Sequence, residues 1–201
     1  MNKKQRVITG AYVKLTIAMT GASGVIYGKR LLEVLHNKKV ETHLVISEAA
    51  EKIIAHELGT TKESLEKLAD HFYEVDDWSS PIVSGSFETD GMVIVPCSMK
   101  TLAGIASGFA ENVILRAADV MLKEKRKLIL VPRETPLNSI HLRNMLELAN
   151  QGAIIIPSMP AFYHKPKSVE ALVDFVVGRI LDVLGLEHNL YMRWQDIQKS
   201  G

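Results

Sequence analysis

The sequence predicts an α/β protein in which a doubly wound, mostly parallel sheet lies between two layers of helices, a three-layer α/β/α sandwich. Three observations carry this prediction. Short apolar segments alternate along the chain with segments of helical period. The apolar segments are hydrophobic at successive residues, which is typical of strands that are covered on both faces. The repeated strand-then-helix order is that of units with parallel strands.

The amino-terminal half contains two clear strand–helix units and a less regular region. A glycine-rich turn separates the first strand from its helix. Thr60 with Glu63 has the spacing of a capping box, which predicts the start of a further helix. The predicted elements are strands over residues 15–19, 41–46 and 72–75, helices through 30–35, over 49–58 and up to about 68, and a loop through 76–86.

The carboxyl-terminal half continues the alternation. Its predicted elements are strands over residues 91–95, 127–131 and 153–156, and helices over 101–107, 111–123, 139–150 and 168–184. Right-handed crossovers place the carboxyl ends of all strands at one edge of the sheet, where ligands bind. A length of 201 residues suits one domain, so we expect a single domain over 14–195 with tails at 1–13 and 196–201.

Composition narrows the class of protein. Lys and Arg number 24 against 23 Asp and Glu, so the net charge of +1 gives no basis for nucleic-acid binding and permits self-association. The single cysteine, Cys97, excludes an intrachain disulfide and a cysteine-based zinc site, and favours a small buried side chain. The longest apolar runs are far shorter than the roughly 20 residues of a membrane helix, so we expect a cytoplasmic protein.

The loop after the first predicted strand, residues 20–28, has the character of a ligand loop. Its glycines at 21, 24 and 28 permit close approach of a phosphate or a flat ring, and the following helix offers free N–H groups. A tight turn that only packs the helix on the strand remains the alternative. The spacing departs from the G-x-G-x-x-G dinucleotide fingerprint, and the second strand ends without an acidic residue for a ribose.

Two other enzyme patterns fail at single positions. Tyr163 and Lys167 have the Tyr-x-x-x-Lys spacing of short-chain reductases, but Pro166 between them disrupts a helix. A G-x-S-x-G nucleophile elbow is excluded because position 25 is Val. The seven histidines show no HExxH spacing, so the sequence predicts no metal site.

Three later loops carry polar side chains directly after strands. Ser98 and Thr101 make an N–H-rich turn after the 91–95 strand, or they only cap the next helix. Arg133 is a candidate for a bidentate phosphate contact and Glu134 for a general acid or base, with a surface ion pair as the alternative. In the last loop, the Tyr163 hydroxyl can bind an anion.

Taken together, these loops resemble those of one known family. The segments TGASGVIYGKRLLEVL, SGS at 84–86, PCSMKTL, RAADVMLKE, LVPRETPL and PAFYHKP occur in one order over residues 14–194. This pattern is similar to the flavin prenyltransferase family, UbiX, formerly described as phenylacrylic acid decarboxylases. The resemblance implies a flavodoxin-like or Rossmann-like fold, FMN bound between protomers and a homo-oligomer that is typically a dodecamer.

The resemblance also implies the reaction. A dimethylallyl group passes from dimethylallyl monophosphate to N5 and C6 of reduced FMN without a metal, and the prenylated FMN serves UbiD-type decarboxylases. Neither nucleic acid nor a membrane is an expected partner. The pathway that uses the product, ubiquinone synthesis or aromatic acid decarboxylation, stays open.

The family's functional positions carry over onto matching residues of this chain. The implied FMN contacts are Gly21, Ala22, Ser23, Ser47, Ser98, Met99, Lys100, Thr101 and Arg133. The implied contacts for the prenyl phosphate and the substrate-side loop are Lys123, Tyr163, Arg179, Trp78 and Ser86. The implied catalytic set is Ser23, Glu57, Lys123 and Glu134, in which Glu134 protonates the departing phosphate and Ser23 positions flavin N5.

Two rival functions follow from the same architecture. Flavin-dependent cysteine decarboxylases use an Asn in a P-x-M-N segment, where this chain has Pro160. A non-catalytic FMN-carrying subunit of a decarboxylase would have no use for a second phosphate site, which Lys123, Tyr163 and Arg179 are expected to form.

Overall fold

The centre of the molecule is a six-stranded sheet in which every strand pair is parallel. The structure is a computed structural model that describes residues 13–195. The strands lie in the order β3-β2-β1-β4-β5-β6, so the winding reverses between β1 and β4. Their bounds are β1 Lys14–Met19, β2 Glu41–Ile46, β3 His71–Tyr73, β4 Gly91–Cys97, β5 Lys127–Pro132 and β6 Ile154–Ile155. The predicted parallel, doubly wound class is confirmed.

Within the described residues, seven helices cover the sheet, and a 3₁₀ turn at Pro81–Val83 interrupts the long loop before β4. Side chains of α1, α2, α3 and α7 pack in one buried cluster, and those of α4, α5 and α6 in a second. The helix bounds are α1 Val25–Asn37, α2 Glu48–Leu58, α3 Lys62–Glu66, α4 Met99–Ala106, α5 Val113–Lys123, α6 Ser139–Asn150 and α7 Val169–Leu184.

The central strands are buried on both faces because successive side chains point to opposite helix layers. In β4 all seven residues are buried. Val93 and Val95 belong to the α1-side cluster, whereas Met92 and Ile94 belong to the α5-side cluster. This arrangement explains why the strands are apolar at successive positions. Among the described residues, no helix is long and apolar enough to cross a membrane.

Several element boundaries differ from the predictions, most of them by one or two residues. The capping box assigned to Thr60 is wrong: Thr61 is the N-cap of α3, and the Thr60 hydroxyl instead lies 2.7 Å from the Ser64 hydroxyl. Strand β4 runs two residues further than predicted, and β6 is shorter, because β6 pairs only with β5 at the edge of the sheet. The predicted tails lie outside the described residues, apart from Val13.

Gly28 lets α1 approach the sheet closely. A Cβ atom at this position would lie 2.5 Å from both the Met19 Cε and the Val95 carbonyl oxygen. We expect Gly28→Ala to lower the free energy of unfolding by about 1–3 kcal/mol, because the backbone of β4 has to move. Urea unfolding at one protein concentration measures this change. His36→Ala, an exposed change on the same helix, serves as the control and should stay within about 0.5 kcal/mol of wild type.

Candidate functional site

A cavity of about 780 Å³ lies at the carboxyl edge of the sheet. The loops after β1, β2, β4 and β5 line it, so it straddles the point where the winding reverses. This is where open α/β sheets bind ligands. Predicted FMN contacts that line it are Gly21, Ala22, Ser47, Ser98, Met99, Lys100, Thr101 and Arg133, and Glu134 lies beside them.

Two helix amino termini open onto this cavity. Ser47 is the N-cap of α2, and its hydroxyl accepts a hydrogen bond from the Ala50 N–H at 3.2 Å. Ser98 is the N-cap of α4, and its hydroxyl accepts one from the Thr101 N–H, also at 3.2 Å. Both serines therefore cap helices and also line the cavity. The positive ends of the two helix dipoles favour an anionic group there.

Thr20 ties the first loop to the loop after β4, and sequence reasoning overlooked it. Its hydroxyl donates to the Pro96 carbonyl at 3.0 Å and accepts from the Ser98 N–H at 2.8 Å. Thr20 is only 2% exposed, so these bonds are shielded from water. These two loops, which both line the cavity, are thus held together. The sequence signal for this role is a polar residue, Thr20, directly after an apolar strand.

Arg133 and Glu134 both line the cavity but do not pair with each other within residues 13–195. The Arg133 Nε atom is buried and lacks a hydrogen-bond partner among the described residues. An orphaned guanidinium nitrogen beside a cavity is costly unless a ligand satisfies it. The Glu134 carboxylate is exposed, and it accepts a hydrogen bond from the Thr135 N–H at 2.9 Å. The predicted surface ion-pair alternative is wrong.

Glu57 lies beside the first loop rather than in the cavity wall. Its carboxylate accepts hydrogen bonds from the N–H groups of Gly24 at 2.9 Å and Val25 at 3.3 Å. Gly24 is the N-cap of α1 and has a φ of 99°, which a glycine adopts without strain. Glu57 therefore neutralises the amino terminus of α1. Ser23 stands in the same loop, next to this contact, and is exposed.

Lys123 lies at the opposite edge of the sheet from the cavity. Asn112, the N-cap of α5, lines the cavity, and Lys123 is the last residue of that helix. Eleven residues of helix span about 16 Å. The Lys123 ammonium pairs with Glu124, beside the turn in which the Ser84 and Ser86 hydroxyls are 2.8 Å apart. One protomer therefore does not bring Lys123 or Ser86 to its own cavity.

Tyr163, Arg179 and Trp78 also lie outside the cavity wall. The Tyr163 ring packs edge-on against Phe175 and Trp194, with centroids 5.9 and 5.4 Å apart. The Arg179 guanidinium pairs with Asp182 at 2.9 Å. Trp78 is 50% exposed in the loop before the 3₁₀ turn. The expected site residues thus divide into those that line the cavity and those that lie elsewhere on the protomer.

Asp182 organises the surroundings of Arg179. Its carboxylate also accepts hydrogen bonds from the Tyr191 hydroxyl, at 2.5 Å, and from Arg193, at 2.7 Å. Burial opposes ionisation, but the hydrogen bonds from Tyr191, Arg193 and His188 outweigh it and lower the pKa of Asp182 from 3.8. The network binds the segment after α7 to that helix.

This lowered pKa predicts a pH-dependent contribution to stability. We expect Asp182→Asn to lower the free energy of unfolding by roughly 2 kcal/mol at neutral pH. Because the folded pKa is depressed, the difference between wild type and variant is complete above 3.8 and vanishes as pH falls through the lowered pKa. Urea unfolding of both proteins across the acid range measures it. A difference that does not change with pH would contradict the ionic role of Asp182.

Cys97 lies at the end of β4, directly before the cavity loop, but it is fully buried. Burial raises the pKa of its thiol to about 12. A thiol with such a pKa is not a nucleophile at neutral pH. The predicted role of a small buried side chain agrees with this environment.

The fold and the cavity define the class of protein. A parallel sheet in the order 3-2-1-4-5-6, with a cavity lined by two helix amino termini at its switch point, is the architecture of α/β proteins that bind nucleotides and flavins. Residues 9–181 match the Flavoprotein family. The chain belongs to this family and, within it, to the flavin prenyltransferases named UbiX.

Relatives with this name are similar over nearly the whole chain. Flavin prenyltransferase UbiX of Methanocaldococcus jannaschii is 55% identical over 90% of this chain and 98% of its own length. Flavin prenyltransferase PAD1 of Saccharomyces cerevisiae, a mitochondrial protein, is 51% identical over 93% of this chain and 77% of its own length. Both identities are high enough to show that this chain shares the fold and the class of these relatives.

Solved structures of proteins named UbiX or UbiX-like have the same fold as this chain. AnUbiX in complex with FMN and dimethylallyl pyrophosphate superposes with a TM-score of 0.90 at 50% identity, covering 92% of this chain and 98% of that one. A dodecameric, FMN-dependent UbiX-like decarboxylase from Escherichia coli O157:H7 gives 0.89 at 50% identity, covering 91% of this chain and 100% of that one. The cysteine decarboxylase TvaF is 21% identical with a TM-score of 0.60, which shows a shared fold alone.

Proposed function

We propose that this protein transfers the dimethylallyl group of dimethylallyl monophosphate to reduced FMN and so makes prenylated FMN. The observation that carries the proposal is the cavity at the switch point, where two helix amino termini meet the unpartnered Arg133 Nε. These features fit the phosphate and the flat ring of FMN. Bound in its reduced form, FMN supplies the nucleophilic atoms N5 and C6 that receive the five-carbon unit.

The chain's own residues divide into holding and proton-transfer roles. Arg133 and the N–H groups of 98–101 would hold the FMN phosphate, with Ser47 on the opposite wall. Gly21 lets the first loop lie close against α2, because a Cβ there would come within 2.6 Å of the Ala49 Cβ. Ser23 would orient the ring edge that bears N5. Glu57 holds this loop in place through Gly24 and Val25.

The leaving phosphate needs its own binding groups. When the allylic C–O bond breaks, its electron pair stays with the phosphate, and the new negative charge has to be stabilised. Lys123, Arg179 and the Tyr163 hydroxyl are the donors that we assign to this task, with Trp78 and Ser86 in the loop beside them. Glu134 would supply the proton that the phosphate oxygen takes up.

A complete site on this proposal requires several copies of the chain. Lys123 and Ser86 lie at the far edge of the sheet from their own cavity, so a neighbouring protomer has to supply them. Exposed apolar side chains on α6, such as Ile140, Leu142 and Leu146, offer a surface for such contacts. We propose a homododecamer, as described for the Escherichia coli relative.

We propose a UbiD-type decarboxylase as the recipient of prenylated FMN. We keep the cytoplasm as the proposed compartment, because the single thiol, Cys97, suits a reducing environment.

One experiment tests the proposed function directly. The purified protein is incubated with FMN, a reductant and dimethylallyl monophosphate, and the mass of the released flavin is measured. A gain of one five-carbon unit supports the proposal, and an unchanged flavin mass overturns it. A parallel incubation with dimethylallyl diphosphate measures which donor the second phosphate site accepts.

A further inference from the structure

Three potential metal ligands meet at the amino edge of the sheet, far from the cavity. Glu41 and His43 are two residues apart on β2, so their side chains point to the same face. His71 on β3 is the register partner of His43 across the parallel pair. Sheet geometry therefore places two imidazoles and one carboxylate side by side on one face.

Two of the three ligand separations are close to those of a tetrahedral zinc site. The exposed His71 ring stacks on His43 with 4.5 Å between the ring centroids, so it has to turn for its Nε2 atom to face a shared ion. Zinc bonds of about 2.0–2.1 Å at tetrahedral angles put ligand atoms about 3.3 Å apart. The Glu41 Oε1 atom lies 3.0 Å from His43 Nε2 and 3.6 Å from His71 Nε2. All three ligand atoms lie within 4.8 Å of one another. We propose that Glu41, His43 and His71 bind one Zn²⁺, with water as the fourth ligand.

The surroundings orient the buried ligand. His43 Nδ1 lies 2.9 Å from the Tyr73 hydroxyl, and the Phe87 ring packs edge-on against the imidazole at 5.1 Å. When Nε2 binds zinc, the ring proton resides on Nδ1 and is donated to the Tyr73 oxygen. Such an outer partner is typical of metal-bound histidines. His71 is 49% exposed, which gives the ion a path from solvent.

Lys14 is the group that zinc has to displace. Its ammonium lies 3.0 Å from the same Glu41 oxygen. A surface ion pair of this kind contributes little to stability, so a divalent ion that gains two imidazoles as well competes with it. The bound ion would clamp β3, a strand of three residues, to β2.

The test uses the untagged, full-length protein and ZnCl₂ in a phosphate-free buffer. Competition with a chromophoric chelator should give one Zn²⁺ per chain, and Zn²⁺ at 100 times its dissociation constant should raise Tm by about 5 °C. His71→Ala, at an exposed position, should abolish both effects. Tyr73→Phe should weaken binding roughly 10–100-fold by removing the outer hydrogen bond.

His36→Ala is the matched control, because it removes an exposed histidine of α1 outside the cluster and should leave binding at the wild-type level. Co²⁺ in place of Zn²⁺ should give the strong visible absorption of a four-coordinate site, and this absorption should be lost in Glu41→Gln. The proposal is overturned if wild type binds no Zn²⁺, or if His71→Ala binds it as wild type does.

Discussion

Glu134→Gln should lower the rate of prenyl transfer by about 10²–10⁴-fold, the range that a positioned proton donor contributes. Glu134 is an exposed carboxyl at the cavity, directly after the orphaned guanidinium of Arg133. Glutamine keeps the size and hydrogen bonding of the side chain but cannot supply the proton to the leaving phosphate. Single-turnover kinetics with reduced FMN and dimethylallyl monophosphate measure the chemical step.

The same cavity supplies a matched control. Glu111 also lines it, and its carboxylate lies 3.6 Å from the Lys100 ammonium. Glu111→Gln should leave the rate within a few fold of wild type, because we assign it no proton transfer. FMN affinity, measured by fluorescence quenching, should be unchanged in Glu134→Gln. Product formation at the wild-type rate in Glu134→Gln would exclude the acid role.

Two inactive variants should restore activity to one another when they assemble together. Arg133→Gln removes a residue of the cavity, and Lys123→Gln removes one from the opposite edge of the sheet. Each variant alone should lose about 10²–10³-fold in rate, as is typical when a charge-stabilising donor is removed. If the two residues of a site come from different protomers, random co-assembly should make about a quarter of the sites complete.

Co-assembly of Arg133→Gln with Glu134→Gln is the control for this experiment. Both residues line the cavity of one protomer, so every mixed site lacks one of them and activity should stay low. Recovery in the first pair and none in the second would locate Lys123 in a neighbouring chain. Equal failure of both pairs would show that Lys123 does not complete a neighbour's site.

Much of the fold follows from local sequence signals. The bounds of β2 and α6 agree with the prediction residue for residue, because the apolar end of β2 and the helical pattern of α6 are visible in neighbouring residues. The wrong N-cap predicted for α3 shows where local sequence signals are not sufficient. Thr60 and Thr61 are adjacent hydroxyl residues, and only the path of the chain after Gly59, in the left-handed conformation at φ 58°, decides which one starts the helix.

The candidate site likewise contains residues that the sequence predicts and contacts that only the structure shows. The sequence predicts that the loops after the parallel strands line a cavity, and most of the expected FMN contacts, from Gly21 to Arg133, lie there. Thr20 also lines this cavity and was not among the expected contacts. The resemblance places Glu57 in the active site, and the structure adds its hydrogen bonds to the N–H groups of Gly24 and Val25. Glu57 and Gly24 are 33 residues apart in the chain, so their hydrogen bond cannot be predicted from neighbouring residues.

The sequence by itself determined the alternation of strands and helices, the burial of the strands on both faces and the position of the polar loops. These properties depend on the chemistry of residues close together in the chain. Only the tertiary structure decided that Lys123 lies across the sheet from Glu134, and that His71 joins Glu41 and His43. The physical reason is that strand order, register and helix direction arise from packing between distant segments, and these set which side chains meet.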